Sequence, residues 1–304
     1  MQIKSSLDNL LTPTAIALGN FDGIHRGHLE VIKPVLDWED PSVYKTVVTF
    51  DPHPQEYFTG QQRQLLTPQQ EKAKILEKLG IQQLVLLPFD RELVKLSPPE
   101  FVDRILHDRL QSKLVSVGED FRFGNQRAGA ATDLVDLTAA IGIATRIAPL
   151  EIDGDSRISS SRIRAALLAA DLKLTQELLG RYYSIFGTVI NGQEIGRSIG
   201  FPTANLQYPA EKFLPRQGVY CVRVDTPTQQ QLPGVMNIGK RPTVNGVNTT
   251  VEIHLLDWEG ILYGQQLTIY LHQFLRSEQK FPDLAALTSQ IQADCDAARI
   301  FFQI

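Results

Sequence analysis

At about residue 183 the hydrophobic period of this chain changes, which restricts it to an α/β unit followed by an all-β one. Before the switch, strand-like apolar runs at 14–21, 46–50, 83–89, 114–121 and 144–150 alternate with helical patterns at about 25–36, 68–79, 98–110 and 130–141. Prolines or polar residues open several of these helices, as helix starts prefer. Repeated β–α units predict a parallel sheet with right-handed crossovers, and ligands of such sheets bind beyond the carboxyl ends of the strands. Two short helical segments fill 165–183, divided at Asp171 and closed by Gly180. From Ser184 onward, runs rich in Val, Ile, Tyr and Thr recur at 184–190, 219–225, 234–238, 249–257 and 266–274, separated by Gly, Pro and Asn turns. That is the pattern of a small antiparallel barrel. A last amphipathic helix, with Leu284, Leu287, Ile291, Cys295 and Ala298 on one face, is expected to pack against it. The expected domains are 1–182 and 183–304, a division that 304 residues permit.

The densest chemistry lies in Gly19-Asn20-Phe21-Asp22-Gly23-Ile24-His25-Arg26-Gly27-His28, where the first strand gives way to the first helix. Backbone N–H groups at a helix start, with the positive end of its dipole behind them, make an anion site without a dedicated cation. Gly23 and Gly27 remove Cβ atoms where the turn is tight and a phosphate must approach the backbone. His25 and His28, three apart, are expected on one face of the first turn, both donating to the same phosphoryl oxygens. A solvated turn is the plain alternative. A metal site is the less favoured one, because Cys221 and Cys295 are far apart in sequence and no second His or Cys cluster exists.

Three further segments should reach the same sheet edge. Asp51-Pro52-His53-Pro54 reads as a rigid extended loop. The stretch from Gly118 to Asn125 carries Phe121, Arg122 and Phe123, which either stack a planar ring or plug the end of the core. Ile158-Ser159-Ser160-Ser161-Arg162-Ile163-Arg164 opens a helix. Its serines would ordinarily be caps, but Arg162 and Arg164 in the same turn suit a departing polyphosphate.

In the second half, Gly200-Phe201-Pro202-Thr203-Ala204-Asn205 sets a hydroxyl and an amide oxygen on a Pro-stiffened segment, hard donors for Mg²⁺ already carrying phosphate; a capped turn is the alternative. Glu252 and His254 share one strand face opposite Val251, Ile253 and Leu255, which by itself describes a solvated face or the seat of a general base. Gly234–Lys240 has phosphate-loop spacing, yet Arg241 replaces the Mg²⁺-binding hydroxyl and Pro242 follows, so it reads as strand and turn.

Charge excludes other classes. The net charge is −4, and residues 183–304 hold nine Lys and Arg against ten Asp and Glu, without the basic excess of a nucleic-acid binder. No run is long and apolar enough to span a bilayer, and the first residues lack the form of a secretory signal. Two scattered cysteines make no disulfide framework, so a reducing cytoplasm is expected; a homo-oligomer is left open.

Taken in order, the segments 19–28, 50–54, 117–124, 158–164, 200–206, 218–222, 237–243, 252–257 and 275–281 resemble the bifunctional prokaryotic riboflavin kinase/FAD synthetases over essentially the whole chain. The resemblance implies an N-terminal nucleotidylyltransferase domain of dinucleotide-binding-like topology and a C-terminal kinase domain on a six-stranded barrel. It implies two ATP- and Mg²⁺-dependent steps, riboflavin to FMN and FMN to FAD, acting on small molecules alone. By that resemblance, Gly19, Asn20, Phe21, Gly27, His25 and His28 hold ATP, the two histidines stabilising charge on the α-phosphate. Ser160 and Arg162 hold the departing pyrophosphate. Pro52, Pro54, Phe121, Phe123 and Asn125 form the flavin side. Thr203 and Asn205 contact Mg²⁺ and phosphate, Glu252 is the base, and Arg276 lies near the flavin. Ser161 stands where the family usually has Thr, and Leu29 where Gln is common; neither removes a proposed chemical group. Other readings stay open. One is a nucleotidylyltransferase with a flavin-binding or regulatory barrel; another is a flavin-storage or nucleic-acid module, against which the slightly acidic barrel argues.

Overall fold

The computed structural model describes residues 1–191, 200–243 and 246–304. By their internal contacts these form two compact units, Met1–Ser160 and Ser161–Ile304. The period switch at 183 thus falls inside the second unit. The helices Ser160–Ala169 and Leu172–Leu179 precede the barrel in sequence; Arg216 N–H, in the loop before the strand Gly218–Asp225, donates to the Leu167 carbonyl of the first helix (3.0 Å), and Leu271 N–H donates to the carbonyl of Tyr183, after the second (2.9 Å). Asp171 caps the second helix by accepting from Leu174 N–H (2.9 Å), and Gly180 closes it at φ 71°.

The first unit holds a six-stranded sheet in the order Gln2–Lys4, Gln83–Pro88, Tyr44–Asp51, Thr14–Leu18, Ser112–Gly118, Ala144–Ala148, every pair parallel. Alternation along Thr14–Leu18 sends Ala15 and Ala17 to one face and Ile16 and Leu18 to the other. The alanine face packs under Val31, Ile32 and Val35 of the helix Arg26–Leu36 and Leu76 of Gln69–Lys78. The opposite face packs against Phe101, Val102, Leu106 and Leu134. Five expected strands are present with ends shifted by a few residues. The edge strand Gln2–Lys4 was not foreseen: three residues, two of them exposed, show no period. Chain order reverses between Thr14–Leu18 and Ser112–Gly118, which flank the crevice where such sheets take ligands.

The second unit is a closed antiparallel barrel, ordered Ser184–Ile190, Ala204–Gln207, Gly246–Leu255, Leu232–Thr243, Gly218–Asp225, Gln266–Arg276. Residues 234–240 are strand throughout, within Leu232–Thr243, where strand and then turn was expected. Gly218 holds φ 146° with its Cα hydrogens against the Arg276 carbonyl and Phe274, space no side chain could occupy.

The helix Leu284–Phe302, capped by Asp283 accepting from Ala286 N–H (2.8 Å), covers the barrel. Its stripe differs from expectation at one end, because Leu284 is 54% exposed. Its centre buries Asp294 beside Cys295 and Ala298. Both cysteines, distant in sequence, enter one apolar cluster with Val219, Val235 and Leu256, and burial pushes the Cys221 thiol up to about 12 and that of Cys295 up to about 11. Both thiols stay protonated and unbridged.

His272, on the last strand, lies 3.8 Å from the Tyr182 ring and 5.5 Å from that of Phe302. Burial, helped by the Arg223 guanidinium, pushes its pKa down to about 4 from the ordinary 6.5. Between those pH values the unfolded chain binds a proton that the folded chain excludes, so stability is full above about 6.5 and falls as pH drops toward 4. His272→Phe should therefore lose less melting temperature between pH 7 and pH 5 than the parent, read by circular dichroism. An unchanged difference would remove His272 as the origin.

Candidate functional site

At the carboxyl end of Thr14–Leu18 the chain turns sharply, with φ of 47° at Phe21, 95° at Gly23 and 41° at Ile24. Left-handed conformations at Phe21 and Ile24 are costly and persist where surroundings over-determine them. Here the surroundings are polar and buried. Asp22 accepts from Thr67 N–H (3.2 Å) and Gly23 N–H donates to Thr67 Oγ1 (2.8 Å). The Asn20 carbonyl accepts from Thr49 Oγ1 (3.0 Å) and Lys72 Nζ (3.1 Å). Gly19 lies under the Phe21 ring, 3.3 Å from where its Cβ would be.

The helix begins at Arg26, so His25 is its N-cap and not a first-turn residue. His25 Nδ1 accepts from His28 N–H (3.3 Å). An accepting Nδ1 puts the neutral ring's proton on Nε2, leaving a fixed donor on the other side. The two imidazoles are stacked face to face, centroids 3.6 Å apart and 15° from parallel, with Phe21 edge-on to His28 at 5.3 Å. Gly27 leaves room for this stack: a Cβ there would sit 3.4 Å from the His25 ring. The N–H groups of Arg26 and Gly27 lie at helix positions with no acceptor within the helix, the kind of helix start at which anions can bind. Ser160 Oγ donates to the Asp22 carbonyl (2.8 Å), tying the start of the helix Ser160–Ala169 to this turn. Arg162, two residues on, belongs to the second unit.

Around this turn the other candidates separate. The loop after Tyr44–Asp51 is shorter than expected, because His53 already caps a six-residue helix, Pro54–Thr59, in a full capping box with Glu56. Pro52 is exposed and Pro54 half-buried. Burial, then the charge of Arg63, pushes His53 down to about 4, so it is neutral at physiological pH. Phe123 plugs the core, its ring 5.6 Å from Phe101 and 5.8 Å from Phe121, while Phe121 is half-buried. Asn125 is a tie between loops, donating from Nδ2 to the Val94 carbonyl (3.1 Å) and from N–H to that of Leu96 (2.7 Å).

Sequence reasoning missed two residues here. Phe58, 68% exposed, stands edge-on to Tyr57 and Phe89 beside the proline loop; a six-residue helix gave no period to reveal it. Lys72 is the other: burial lowers its pKa, opposed by the charges of Asp22 and Asp51. A hydrophilic helix face disguised it. Lys72→Met removes a donor from the Asn20 carbonyl and a cation from beside two acids, and should destabilise the first unit by about 1–3 kcal/mol. Differential scanning calorimetry would show this as a loss of several degrees.

In the second unit, the strand Ala204–Gln207 replaces part of the expected loop and carries Asn205. Its register places Asn205 directly opposite Glu252, and Glu252 opposite Asn237 on the next strand. Directly opposed residues share a face, so these three form one polar row on the outside of the barrel, while Ala204, Ile253 and Met236 fill the inside. Thr203 precedes the row, on a segment held by His254, whose Nδ1 donates to the Pro202 carbonyl (2.9 Å). Arg276 is committed elsewhere: its guanidinium grips buried Asp294 at 2.7–3.1 Å and lies 5.8 Å from the Phe281 ring. Among the described residues no cluster of three or more His, Cys, Asp or Glu could hold a metal ion, and no helix is long and apolar enough to cross a membrane.

Each unit thus presents a polar site of its own, and the comparisons divide the chain in the same way. Residues 8–162 match the FAD synthetase family and residues 179–302 the riboflavin kinase family. A bifunctional riboflavin kinase/FMN adenylyltransferase of Pseudomonas fluorescens is 41% identical over 98% of this chain and 97% of its own. One of Haemophilus influenzae is 36% identical over 99% of each. A solved structure from Streptococcus pneumoniae, described as a macrolide-efflux protein, is 28% identical and superposes with a TM-score of 0.86 over 98% of both chains. With both family matches in order and relatives alike over nearly the full length, the chain belongs to the bifunctional riboflavin kinase/FMN adenylyltransferases.

Proposed function

We propose that the turn at His25 and His28 is the FMN adenylyltransferase site and the row Asn205, Glu252 the riboflavin kinase site of a chain that converts riboflavin to FMN and FMN to FAD. The observation that carries this reading is the imidazole stack at a helix N-terminus in the crevice of the parallel sheet, within the part matching FAD synthetase.

In the first unit, the backbone of Gly19, Asn20, Phe21 and Gly27 receives ATP, and the imidazoles donate to α-phosphate oxygens as charge builds there. An FMN phosphate oxygen bonds to the α-phosphorus while the bond to the α,β-bridging oxygen breaks, and pyrophosphate leaves toward Ser160. Pro52, Pro54, Phe121 and exposed Phe58 offer the flavin ring apolar surface. Phe123 and Asn125 act behind them by holding that wall in place.

In the second unit, Glu252 takes the proton of the terminal ribityl hydroxyl as its oxygen bonds to the γ-phosphorus and ADP departs. A loose transition state demands little of the base, so positioning dominates. The Thr203 hydroxyl and Asn205 amide oxygen are neutral hard donors, few enough to leave room for phosphate oxygens and water, and they fit Mg²⁺ arriving with ATP. When bound, that ion supplies charge neutralisation at the transferred phosphoryl group. Arg276 keeps the end of the last strand in place through Asp294. Domains at 1–182 and 183–304 and a cytoplasmic setting, with ATP at hand and thiols unpaired, belong to the same reading.

Incubating the full chain with riboflavin, ATP and Mg²⁺ and following the flavins by chromatography tests it. FMN that rises, falls and gives way to FAD is expected. FMN without FAD would remove the adenylyl assignment, and no product would return the barrel to a binding role.

A further inference from the structure

Between the strand Ala144–Ala148 and the helix Ser160–Ala169 the chain is fastened to both flanks of the histidine turn. On one flank the Glu151 carboxylate Oε1 accepts from Arg26 Nη2 at 2.6 Å, and Glu151 Cβ lies 3.5 Å from where a side chain of Gly27 would begin. On the other, Ser160 Oγ donates to the Asp22 carbonyl at 2.8 Å. The chain runs out and back between these points as a hairpin, Ile152–Asp153 against Ser156–Arg157. Ile158 N–H closes it on the Glu151 carbonyl (2.9 Å), and Arg157 Nη1 stays it on Asp120 Oδ2 (3.0 Å). Residues 151–160 are thus a strap gripping the turn at Asp22 and Arg26, on either side of His25.

Arg26 is against type for its place. It opens the helix Arg26–Leu36, where the positive end of the dipole favours acids, and no acid stands in that first turn. A carboxylate 125 positions away answers the guanidinium instead, and does so at the side chain rather than at the backbone N–H groups. We propose that Arg26 and Glu151 are positioning residues for adenylyl transfer: their ion pair draws the strap tight and so holds Ser160 in register with His25 and His28 for the departing pyrophosphate. This rests on the adenylyl reading of the histidine turn. A part-exposed pair contributes little to folding, whereas a misplacement of about 1 Å at a reacting group can cost up to about a hundredfold in rate. Charge alone predicts the opposite sign. Glu151→Gln deletes an anion beside an anion site and leaves Arg26 uncompensated, which by its field would tighten pyrophosphate.

The test is the reverse reaction, FAD and pyrophosphate to FMN and ATP, which passes through the same transition state, run beside the forward one on full-length variants. Glu151→Gln and Arg26→Gln should each raise KM for pyrophosphate about tenfold and lower the forward kcat by a similar factor, with KM for FMN within about twofold of the parent. The double variant should be no worse than either single one, because each change alone already frees the strap. Arg26→Lys, which keeps the cation and a donor, should lose less than Arg26→Gln. Calorimetry should place melting within about 3 °C of the parent, and the same preparations should phosphorylate riboflavin at the parent rate. A KM for pyrophosphate that is unchanged or falls in Glu151→Gln, losses that multiply in the double variant, an equal rise in KM for FMN, or a larger loss of melting temperature would each overturn the proposal. FAD formation surviving His28→Ala would instead move the site itself.

Discussion

His28→Ala is expected to abolish FAD formation from FMN, by about a hundredfold or more, and to leave FMN formation from riboflavin within about twofold of the parent. The first figure follows from what fixed donors contribute where charge develops in a transition state, about 10²–10³ each. The second follows from the division of the chain, since every element of the barrel row lies in the other unit. His28 is a cleaner target than His25, whose Nδ1 also caps the helix; removing that cap alone costs about 1 kcal/mol and would mix stability with chemistry. His28→Phe adds a control, keeping a ring against Phe21 and His25 but no N–H. Both variants should fail alike in chromatographic assays started from FMN. A His28→Phe variant that still makes FAD at the parent rate would show the ring to be packing and nothing more.

Glu252→Gln should do the reverse, stopping riboflavin phosphorylation by about 10²–10⁴ while FMN is still turned into FAD. Glutamine keeps the size of the side chain and its place between Asn205 and Asn237, and loses only the capacity to take a proton. Assays begun with riboflavin and with FMN, on one preparation, separate the two steps. If either substitution destroyed both activities in protein that still melts cooperatively, the assignment of one reaction to each unit would fall.

Much of this architecture could be read from periodicity. The apolar runs at 14–18 and 83–88 are continuous, as in strands of a parallel sheet covered on both faces, and the Val, Ile and Tyr runs after Ser184 match five of the six barrel strands. The sixth, Ala204–Gln207, has only four residues after a proline and reads as a loop until its partners at Glu252 and Leu206 are known. The histidine turn was visible because its residues are contiguous. Its support was not, because Thr49, Thr67 and Lys72 reach it from elsewhere in the chain and look ordinary one at a time. The same holds for Phe123, whose role depends on Phe101, and for Asp294, a charge inside an apolar stripe explained by Arg276 and by Gln290, whose Nε2 donates to it. Separation in sequence likewise misplaced the cysteines, which one helix brings under the same roof.

The closure of the barrel also sets an order of birth. Its first strand, Ser184–Ile190, pairs with its last, Gln266–Arg276, so the ring cannot shut until the ribosome has released the chain as far as Arg276. The parallel sheet is complete once Ala148 has emerged. Domains fold as units from the N-terminus at about 5–20 residues per second during synthesis. The nascent polypeptide therefore has its adenylyl-transferring half assembled for seconds before the phosphorylating half exists. A ribosome-bound chain stalled near residue 230 should bind ATP without phosphorylating riboflavin.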